Sequence, residues 1–583
     1  MKILLTAINA KYIHSNLAVY SLKAYAKRYE ENLEIAEFTI NNQTDYILEE
    51  IYKRKPGVLC LSCYIWNISI IEDVVREFHK LCPQVPIWLG GPEVSYEAEA
   101  FLKEHPQVQG IMLGEGEETF VELCSCYLGD VSCENVTEKL TRIKGIAFRD
   151  WSKDGEIIVN ELRAVMDMSK IPFCYDTLGD FSNRIIYYES SRGCPFSCSY
   201  CLSSVDKKLR FRDLELVKKE LLFFIKQKVP QIKFVDRTFN CNHVHAMEIW
   251  KFIKENDNGI TNFHFEVSAD LLSEEELELI STMRPGLIQL EIGVQSTNEA
   301  TILEIKRTMK LEQLKAIVER IKNFGNIHQH LDLIAGLPYE DYKTFQKSFD
   351  DIYALKPNQL QMGFLKVLKG SYMHEHTKEY EIVYHDNPPY EVLSTKWLSY
   401  DDVLKMKRIE EMLEVYYNSG QYEIAMQVLG LCYTSAFVMY ERLGDFYEKH
   451  HYFGMSHSRI KRCEIMLEFI KEEMENDRLN QDVYECMKEA LLFDLYYREN
   501  CKSRPSWATD VANFKKVTHY YCKNGKLSHV EPFHYDFLNI TSCFPEYKED
   551  EYWALFSYEE RDVLSHQAKV IYVEPKKDIQ EAE

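Results

Sequence analysis

Short apolar runs alternate with amphipathic stretches along this chain, and the rhythm changes twice. In residues 1–135, apolar runs at 3–7, 33–40, 57–62, 86–89 and 108–113 read as strands. Between them, apolar positions at three- and four-residue spacing predict helices over 16–29, near 46–53 and 68–81, and over 117–128. Strands alternating with helices in this way predict an α/β domain, a doubly wound, Rossmann-like parallel sheet. A ligand of such a sheet sits at the carboxyl ends of its strands, near the switch in strand order. Residues 136–180 read as a linker carrying a small hairpin, 143–149 with 156–159, turning at Asp154-Gly155.

The same alternation resumes over 181–370. Strands are expected at 185–189, 231–235, 263–267, 287–292, 330–334 and 359–364, which makes six strand–helix units. Polar residues and glycines gather at their carboxyl ends, as in Asp236-Arg237-Thr238, Gly293-Val294-Gln295 and Ala335-Gly336-Leu337. After Pro388-Pro389 the pattern turns helical, with helices expected at 401–417, 425–429, 436–449, 458–476 and 479–498. Residues 371–583 therefore read as a mainly α-helical domain. Shorter runs over 517–573 suggest a few strands, and the charged stretch from Pro575 to Glu583 reads as a frayed tail.

Composition narrows the setting. The 583 residues are 46% apolar, enough for about three well-filled domains. No run reaches ~18 uninterrupted apolar residues, so no membrane span is expected. Seventeen cysteines without a secretory signal point to a reducing, cytoplasmic setting rather than a disulfide framework. A net charge of −23 disfavours a broad phosphate-binding face, and with it nucleic acid, without excluding a local basic groove.

The chemistry concentrates in Ser191-Arg192-Gly193-Cys194-Pro195-Phe196-Ser197-Cys198-Ser199-Tyr200-Cys201. Three thiolates spaced C-x3-C-x2-C on a loop can hold three irons of a [4Fe-4S] cubane and leave the fourth open to a chelating small molecule. Zinc is the plainer alternative, but structural zinc takes four ligands, usually as two pairs. Here the trio stands alone, with no His between Asn183 and Phe211. Gly193 frees the backbone before the first Cys, and Tyr200 offers an aromatic face beside the last.

This segment resembles the radical S-adenosylmethionine (SAM) superfamily, whose hallmark is C-x3-C-x-aromatic-C. The resemblance implies a partial (β/α)6 TIM-type barrel and a [4Fe-4S] cluster on Cys194, Cys198 and Cys201. It also implies SAM bound at the open iron and cleaved reductively to a 5′-deoxyadenosyl radical. Tyr200, Asp236, Glu291, Gln295 and Gly336 lie where the family contacts SAM, and Glu266 and Asp270 are weaker candidates of the same kind. Asp236 as a helix cap is the plain alternative.

The first domain resembles the cobalamin-binding domain of one branch of this superfamily. There the loops after strands three, four and five surround the cofactor. The implied contacts are Ser62, Gly90, Gly91, Pro92, Glu93, Glu115, Gly116 and Glu117. The D-x-H-x-x-G motif of classical cobalamin methyltransferases is absent, and His14 reads better as a hydrogen-bonded loop residue. Together the resemblances imply a cobalamin-dependent radical SAM enzyme that methylates an unactivated carbon of an unknown substrate. They also imply an external electron donor such as flavodoxin or ferredoxin. The alternatives are a cobalamin-dependent rearrangement or cyclisation, and a non-catalytic iron–sulfur redox sensor. The C-terminal region resembles an accessory domain of uncharacterised function.

Overall fold

The computed structural model of the chain describes residues 1–129, 136–175, 178–181, 183–501, 503–508, 515–522, 527–541 and 543–574. The expected tail at 575–583 and the expected domain boundary at 135 lie outside the described residues.

The first sheet contains β1 (Ile3–Asn9), β2 (Leu33–Thr39), β3 (Val58–Ser62), β4 (Ile87–Gly90) and β5 (Gly110–Met112), all parallel, in the order β2-β1-β3-β4-β5. Strand order reverses between β1 and β3, which sets the ligand end of a doubly wound sheet there. All seven residues of β1 are buried, as expected of a strand covered on both faces. The helix Ile68–Leu81 buries Ile68, Ile71, Val74, Val75 and Phe78 against the sheet, the single face that its apolar spacing predicts. Two short helices, Pro92–Ser95 and Ala98–Glu104, occupy what reads in sequence as loop. Pro92 fills the first helical position, where its missing N–H costs nothing.

The hairpin expected in the linker is β6 (Ile146–Asp150) and β7 (Glu156–Val159). It does not stand apart. β6 pairs antiparallel with β5, extending the sheet to seven strands. β5 is only three residues long and would otherwise present a bare edge, which the hairpin covers. The sheet is therefore mixed rather than purely parallel.

In the middle domain, β8 (Ile186–Tyr188) leads to a small antiparallel ladder, β9 (Ser191–Arg192) with β10 (Arg210–Phe211). The cysteine loop hangs from this ladder. β11 (Gln231–Phe234), β12 (Asn262–Val267), β13 (Ile288–Gln295), β14 (His328–Ala335) and β15 (Gln359–Phe364) follow. Their order is β15-β14-β13-β12-β11-β8, all parallel, which is the expected six-stranded partial barrel. Along β13 every second residue is buried. Leu290, Ile292 and Val294 pack outward into the main core, and Gln289, Glu291, Gly293 and Gln295 take the other face.

A two-stranded ladder, β16 (Val383–Tyr384) with β17 (Val392–Ser394), opens the C-terminal region. Helices Tyr400–Leu413, Glu423–Gly430, Ala436–Lys449, Arg459–Glu475 and Gln481–Arg498 follow, close to the expected spans. The expected terminal strands are β18 (Ser528–Tyr535), β19 (Tyr547–Arg561) and β20 (Ala568–Val573), one antiparallel sheet. These helices share the barrel's hydrophobic core, so the two regions are packed as one body.

The loop after β1 docks on the start of the barrel. The Ile185 N–H donates to the Ile13 carbonyl at 2.8 Å, and Ser15 Oγ donates to the Ile185 carbonyl at 3.1 Å. His14 Nδ1 lies 2.6 Å from Tyr187 Oη, so this histidine is a hydrogen-bonded loop residue. Arg184 pairs with Glu37 at 2.6 Å, with both side chains largely buried.

Candidate functional site

Three thiols stand on the loop between β9 and β10. Gly193 opens this loop at φ +89°, and a Cβ there would lie 2.7 Å from the Lys208 carbonyl oxygen. The position thus requires glycine on both conformational and steric grounds. The Cys194 N–H donates to the Asp206 carbonyl at 3.2 Å, and the Cys201 N–H to the Cys198 carbonyl at 3.1 Å. Ser199 ties the loop to its surroundings on both sides: its N–H donates to the Ile305 carbonyl of the barrel, and its carbonyl accepts from the Met373 N–H at the start of the C-terminal region, each at 2.9 Å. Cys194, Cys198 and Cys201 carry free thiols. Burial pushes the Cys194 thiol up, so it favours the neutral form until a cation or metal is present.

One guanidinium already points at the trio. Arg307 Nη1 lies 3.8 Å from Cys198 Sγ and 3.3 Å from Tyr200 Oη, and Nη2 donates to the Gly293 carbonyl. Burial raises the Tyr200 hydroxyl, so the ring stays neutral and serves as a wall of the loop. Asp236, at the end of β11, takes a different place from a helix cap. It is 1% exposed and accepts from the Ser190 N–H at 3.0 Å, from Ser190 Oγ at 2.7 Å and from Ser191 Oγ. It anchors the backbone just before Arg192. Burial outweighs these donors and pushes its carboxyl up to about 6.

Gln295 ends β13 at φ +75° beside a register shift, and among the described residues its Oε1 has no hydrogen-bond partner. Such a backbone for a non-glycine residue is costly and clusters at sites of function. Gly336, at φ +88°, lies against Val392 of β17, where a Cβ would meet Cγ1 at 2.8 Å. Asp270 caps elsewhere, accepting from Ser268 Oγ at 2.7 Å and the Lys310 N–H at 3.0 Å.

Glu291 belongs to a polar wall inside the barrel. Its Oε2 lies 2.8 Å from Lys233 Nζ and 2.9 Å from His264 Nε2. Burial opposes its ionisation, but His264 and Lys233 outweigh that and hold its carboxyl down at about 2. Glu266 is pushed up to about 7, first by burial and then by the Glu291 charge. His330 and Asp332 complete the wall from β14. Sequence reasoning missed Lys233, His264, His330, Asp332 and Arg307. The signal was present as polar residues at every second position of His264-Phe265-Glu266 and His330-Leu331-Asp332, which places them on one face.

In the first domain, the loops after β3 and β4 hold each other. The Cys63 N–H donates to the Gly90 carbonyl at 2.7 Å, and a Cβ on Gly91 (φ +117°) would collide with the Cys63 carbonyl. Ser62 Oγ accepts from Asn16 Nδ2 at 3.2 Å. Tyr64 and Trp66 stack beside it with centroids 4.4 Å apart, and Trp66 is exposed. A Cβ on Gly90 would lie 3.4 Å from Met112, and one on Gly116 3.1 Å from Leu22, whereas Gly114 (φ +71°) faces open space. That clear ledge at the carboxyl end of β5 is what a bulky ligand of this sheet needs. All three acids named from sequence have partners in the middle domain, and Glu93 has a further one in the C-terminal region. Glu93, in the helix begun by Pro92, accepts from Tyr390 Oη and lies 3.6 Å from Lys369. Arg192 binds Glu117 at 2.6 Å, Glu115 at 3.2 Å and its neighbour Glu189 at 2.9 Å. Arg210 adds a second contact to Glu115, at 3.2 Å. Burial would raise the Glu117 carboxyl, and Arg192 reverses this, holding it below the usual range.

Arg192 stands two residues before Cys194, so the cysteine loop and the ligand end of the first sheet face one another across the Arg192 and Arg210 guanidiniums. Family models match three stretches of the chain: "B12 binding domain" matches residues 3–124, "Radical SAM superfamily" matches 188–352, and "Protein of unknown function (DUF4080)" matches 378–544. The chain joins a B12 binding domain to a radical SAM domain. The cofactors characteristic of that pair are cobalamin, a [4Fe-4S] cluster and SAM. The three free thiols on one loop fit such a cluster, and the open ledge at Gly114 fits a bulky corrin.

Over 310 residues the chain is 27% identical to a 2-(S-pantetheinyl)-carbapenam-3-carboxylate methyltransferase of Streptantibioticus cattleyicolor, covering 50% of this chain and 44% of the relative. It is 24% identical to an anaerobic magnesium-protoporphyrin IX monomethyl ester cyclase of Cereibacter sphaeroides, over 55% and 53% of the two chains. The chain thus spans about half the length of the curated relatives it matches. Among solved structures, the cobalamin-dependent S-adenosylmethionine radical enzyme OxsB superposes with a TM-score of 0.57 at 16% identity, covering 85% of this chain and 80% of that one, which establishes a shared fold. No described helix is long and apolar enough to cross a membrane.

Proposed function

We propose that this chain is a cobalamin-dependent radical SAM enzyme that methylates an unactivated carbon. The observation that carries the reading is the Arg192 bridge, which sets the candidate cluster loop beside Glu115 and Glu117 at the ligand end of the first sheet. When bound, the cluster, SAM and cobalamin supply a reducing electron, the 5′-deoxyadenosyl radical and a transferable methyl group.

The chain's own residues hold and shield these groups. Cys194, Cys198 and Cys201 are the cluster ligands. Arg307 supplies positive charge beside Cys198 and closes one side of the loop with Tyr200. Asp236 fixes Ser190 and Ser191, and so the direction of Arg192 and the cysteine loop. Gln295 and Gly336 lie at the strand ends that would flank SAM, and Glu291 lies deeper on the lumen face of β13. Ser62, Gly90, Gly91, Pro92, Glu93, Glu115, Gly116 and Glu117 shape the loops that would flank the corrin. The polar lumen behind Glu291 is the wall a substrate would meet. A soluble one-electron donor of flavodoxin or ferredoxin type, in a reducing cytoplasm, completes the scheme.

Similarity to a carbapenam methyltransferase supports methyl transfer, and similarity to a cyclase supports ring formation as the second reading. The test is anaerobic reconstitution of the cluster with hydroxocobalamin, SAM and dithionite. Formation of 5′-deoxyadenosine and retention of corrin absorbance after desalting are expected. No nucleoside product from protein with an intact cluster and bound corrin would overturn the enzymatic reading. Once a substrate is found, label from the SAM methyl group appears in its product only if methyl transfer is correct.

A further inference from the structure

We propose that Glu291, His330 and Asp332 form a divalent-metal site in the barrel lumen, distinct from the cysteine trio. One ligand atom from each of the three lies within 4.8 Å of the others, close enough to share one ion. They stand on adjacent strands at matched register, with Glu291 of β13 opposite His330 of β14 and Gly293 opposite Asp332.

A second, independent feature points to a missing ligand. His330 is 8% exposed, and among the described residues neither its Nε2 nor Asp332 Oδ1 has a hydrogen-bond partner. The two atoms are 3.1 Å apart yet misaligned for a hydrogen bond. A buried imidazole nitrogen and a buried carboxylate oxygen left without partners are costly. One cation between them would satisfy both.

Glu266, Glu291 and Asp332 place three carboxylates on this wall, and Lys233 is the ammonium paired there, at 2.8 Å from Glu291. Lys233 and His264 both lie within 3 Å of Glu291 Oε2, the arrangement by which outer groups orient a metal-bound carboxylate. One imidazole and two carboxylates suit manganese, iron(II) or zinc. Three protein ligands leave positions facing the lumen, where a metal takes an oxygen or nitrogen of a bound small molecule.

Manganese(II) is the appropriate probe, because it avoids the thiols that would capture zinc. Full-length protein with its cluster in the EPR-silent oxidised state is titrated with Mn(II), and loss of the free-ion EPR signal is followed. One saturable equivalent is expected, displaceable by Zn(II). His330→Gln and Asp332→Asn should each weaken it about tenfold or more, on the scale of lost metal-site partners, while retaining the cluster's visible absorbance as a check on folding. Absence of a saturable equivalent in the unaltered protein would overturn the site, as would unchanged affinity in both folded variants. None of these readouts depends on SAM cleavage, so failure here leaves the methyl-transfer reading intact.

Discussion

Both halves of this molecule are built on parallel sheets, but their strands are used differently. β1 is buried at every position, and β3 at all but its last residue, Ser62. β13 alternates buried and half-buried residues throughout, with Glu291 and Gln295 on its open face. The first sheet is a support, and its chemistry is confined to the loops at its carboxyl ends. The barrel sheet has one apolar face and one lumen face, so it carries polar groups along the length of its strands. A site residue in the first domain is therefore found by locating a strand end, and one in the barrel by its parity along a strand.

The largest expected effect comes from the loop between the two sheets. Cys198→Ala should abolish 5′-deoxyadenosine formation and lower iron content, measured by chromatography and metal analysis after anaerobic reconstitution. Persistent product would remove the trio from its assigned role.

Next is the bridge that joins the sheets. Arg192→Ala leaves Glu117 and Glu189 without their guanidinium, while Arg210 still pairs with Glu115. Breaking a buried ion pair from one side costs about 3–5 kcal/mol, to be read from chemical denaturation. The same variant should lose corrin on desalting. An unchanged midpoint would mean that the two domains are held by the His14 and Arg184 contacts instead.

A pH dependence follows at the end of β11. The Asp236 carboxyl is raised from its ordinary 3.8 to about 6, chiefly by burial. Its contribution to stability is therefore fully present below pH ~4 and is lost as pH rises through about 6. A rise of this size corresponds to about 3 kcal/mol at most. Asp236→Asn should flatten the pH dependence of the unfolding free energy between pH ~4 and ~6. An equal slope in the variant would assign that dependence to other groups.

The smallest effect separates two glycines at the ends of the first sheet. Gly114→Ala meets open space and carries only its backbone cost at φ +71°, about 1 kcal/mol. Gly91→Ala must in addition displace the Cys63 carbonyl and should cost more. Thermal unfolding measures both. If Gly114→Ala is the more damaging for stability, the ledge is not the free surface described. Weaker corrin retention at unchanged stability would support the ledge.

Much of the fold was legible in sequence because its signals are local. Helix Ile68–Leu81 shows its buried face in its spacing, and the helices of the C-terminal region do the same. The cysteine trio was legible for a similar reason, since its ligands are contiguous and their residue type is chemically specific. The helices Pro92–Ser95 and Ala98–Glu104 were not, being too short for periodicity to show. The hairpin at Asp154-Gly155 was visible, but its attachment to β5 was not, because the need to cover a three-residue edge strand is a property of the assembled sheet.

The site residues divide along the same line. Residue order alone placed Gly193, the three cysteines and Tyr200 on one loop and marked the strand ends at Ser62, Gly90 and Glu115. It could not show that Glu115 and Glu117 meet Arg192, or that Glu93 meets Tyr390, because these pairs are separated by 75 residues or more. Nor could it show that Lys233, His264, Glu291, His330 and Asp332 share one wall, since each comes from a strand whose neighbours are fixed by sheet order. Local chemistry is encoded by spacing along the chain. The partner of a buried charge is set by packing, which brings distant strands and loops within reach of one another.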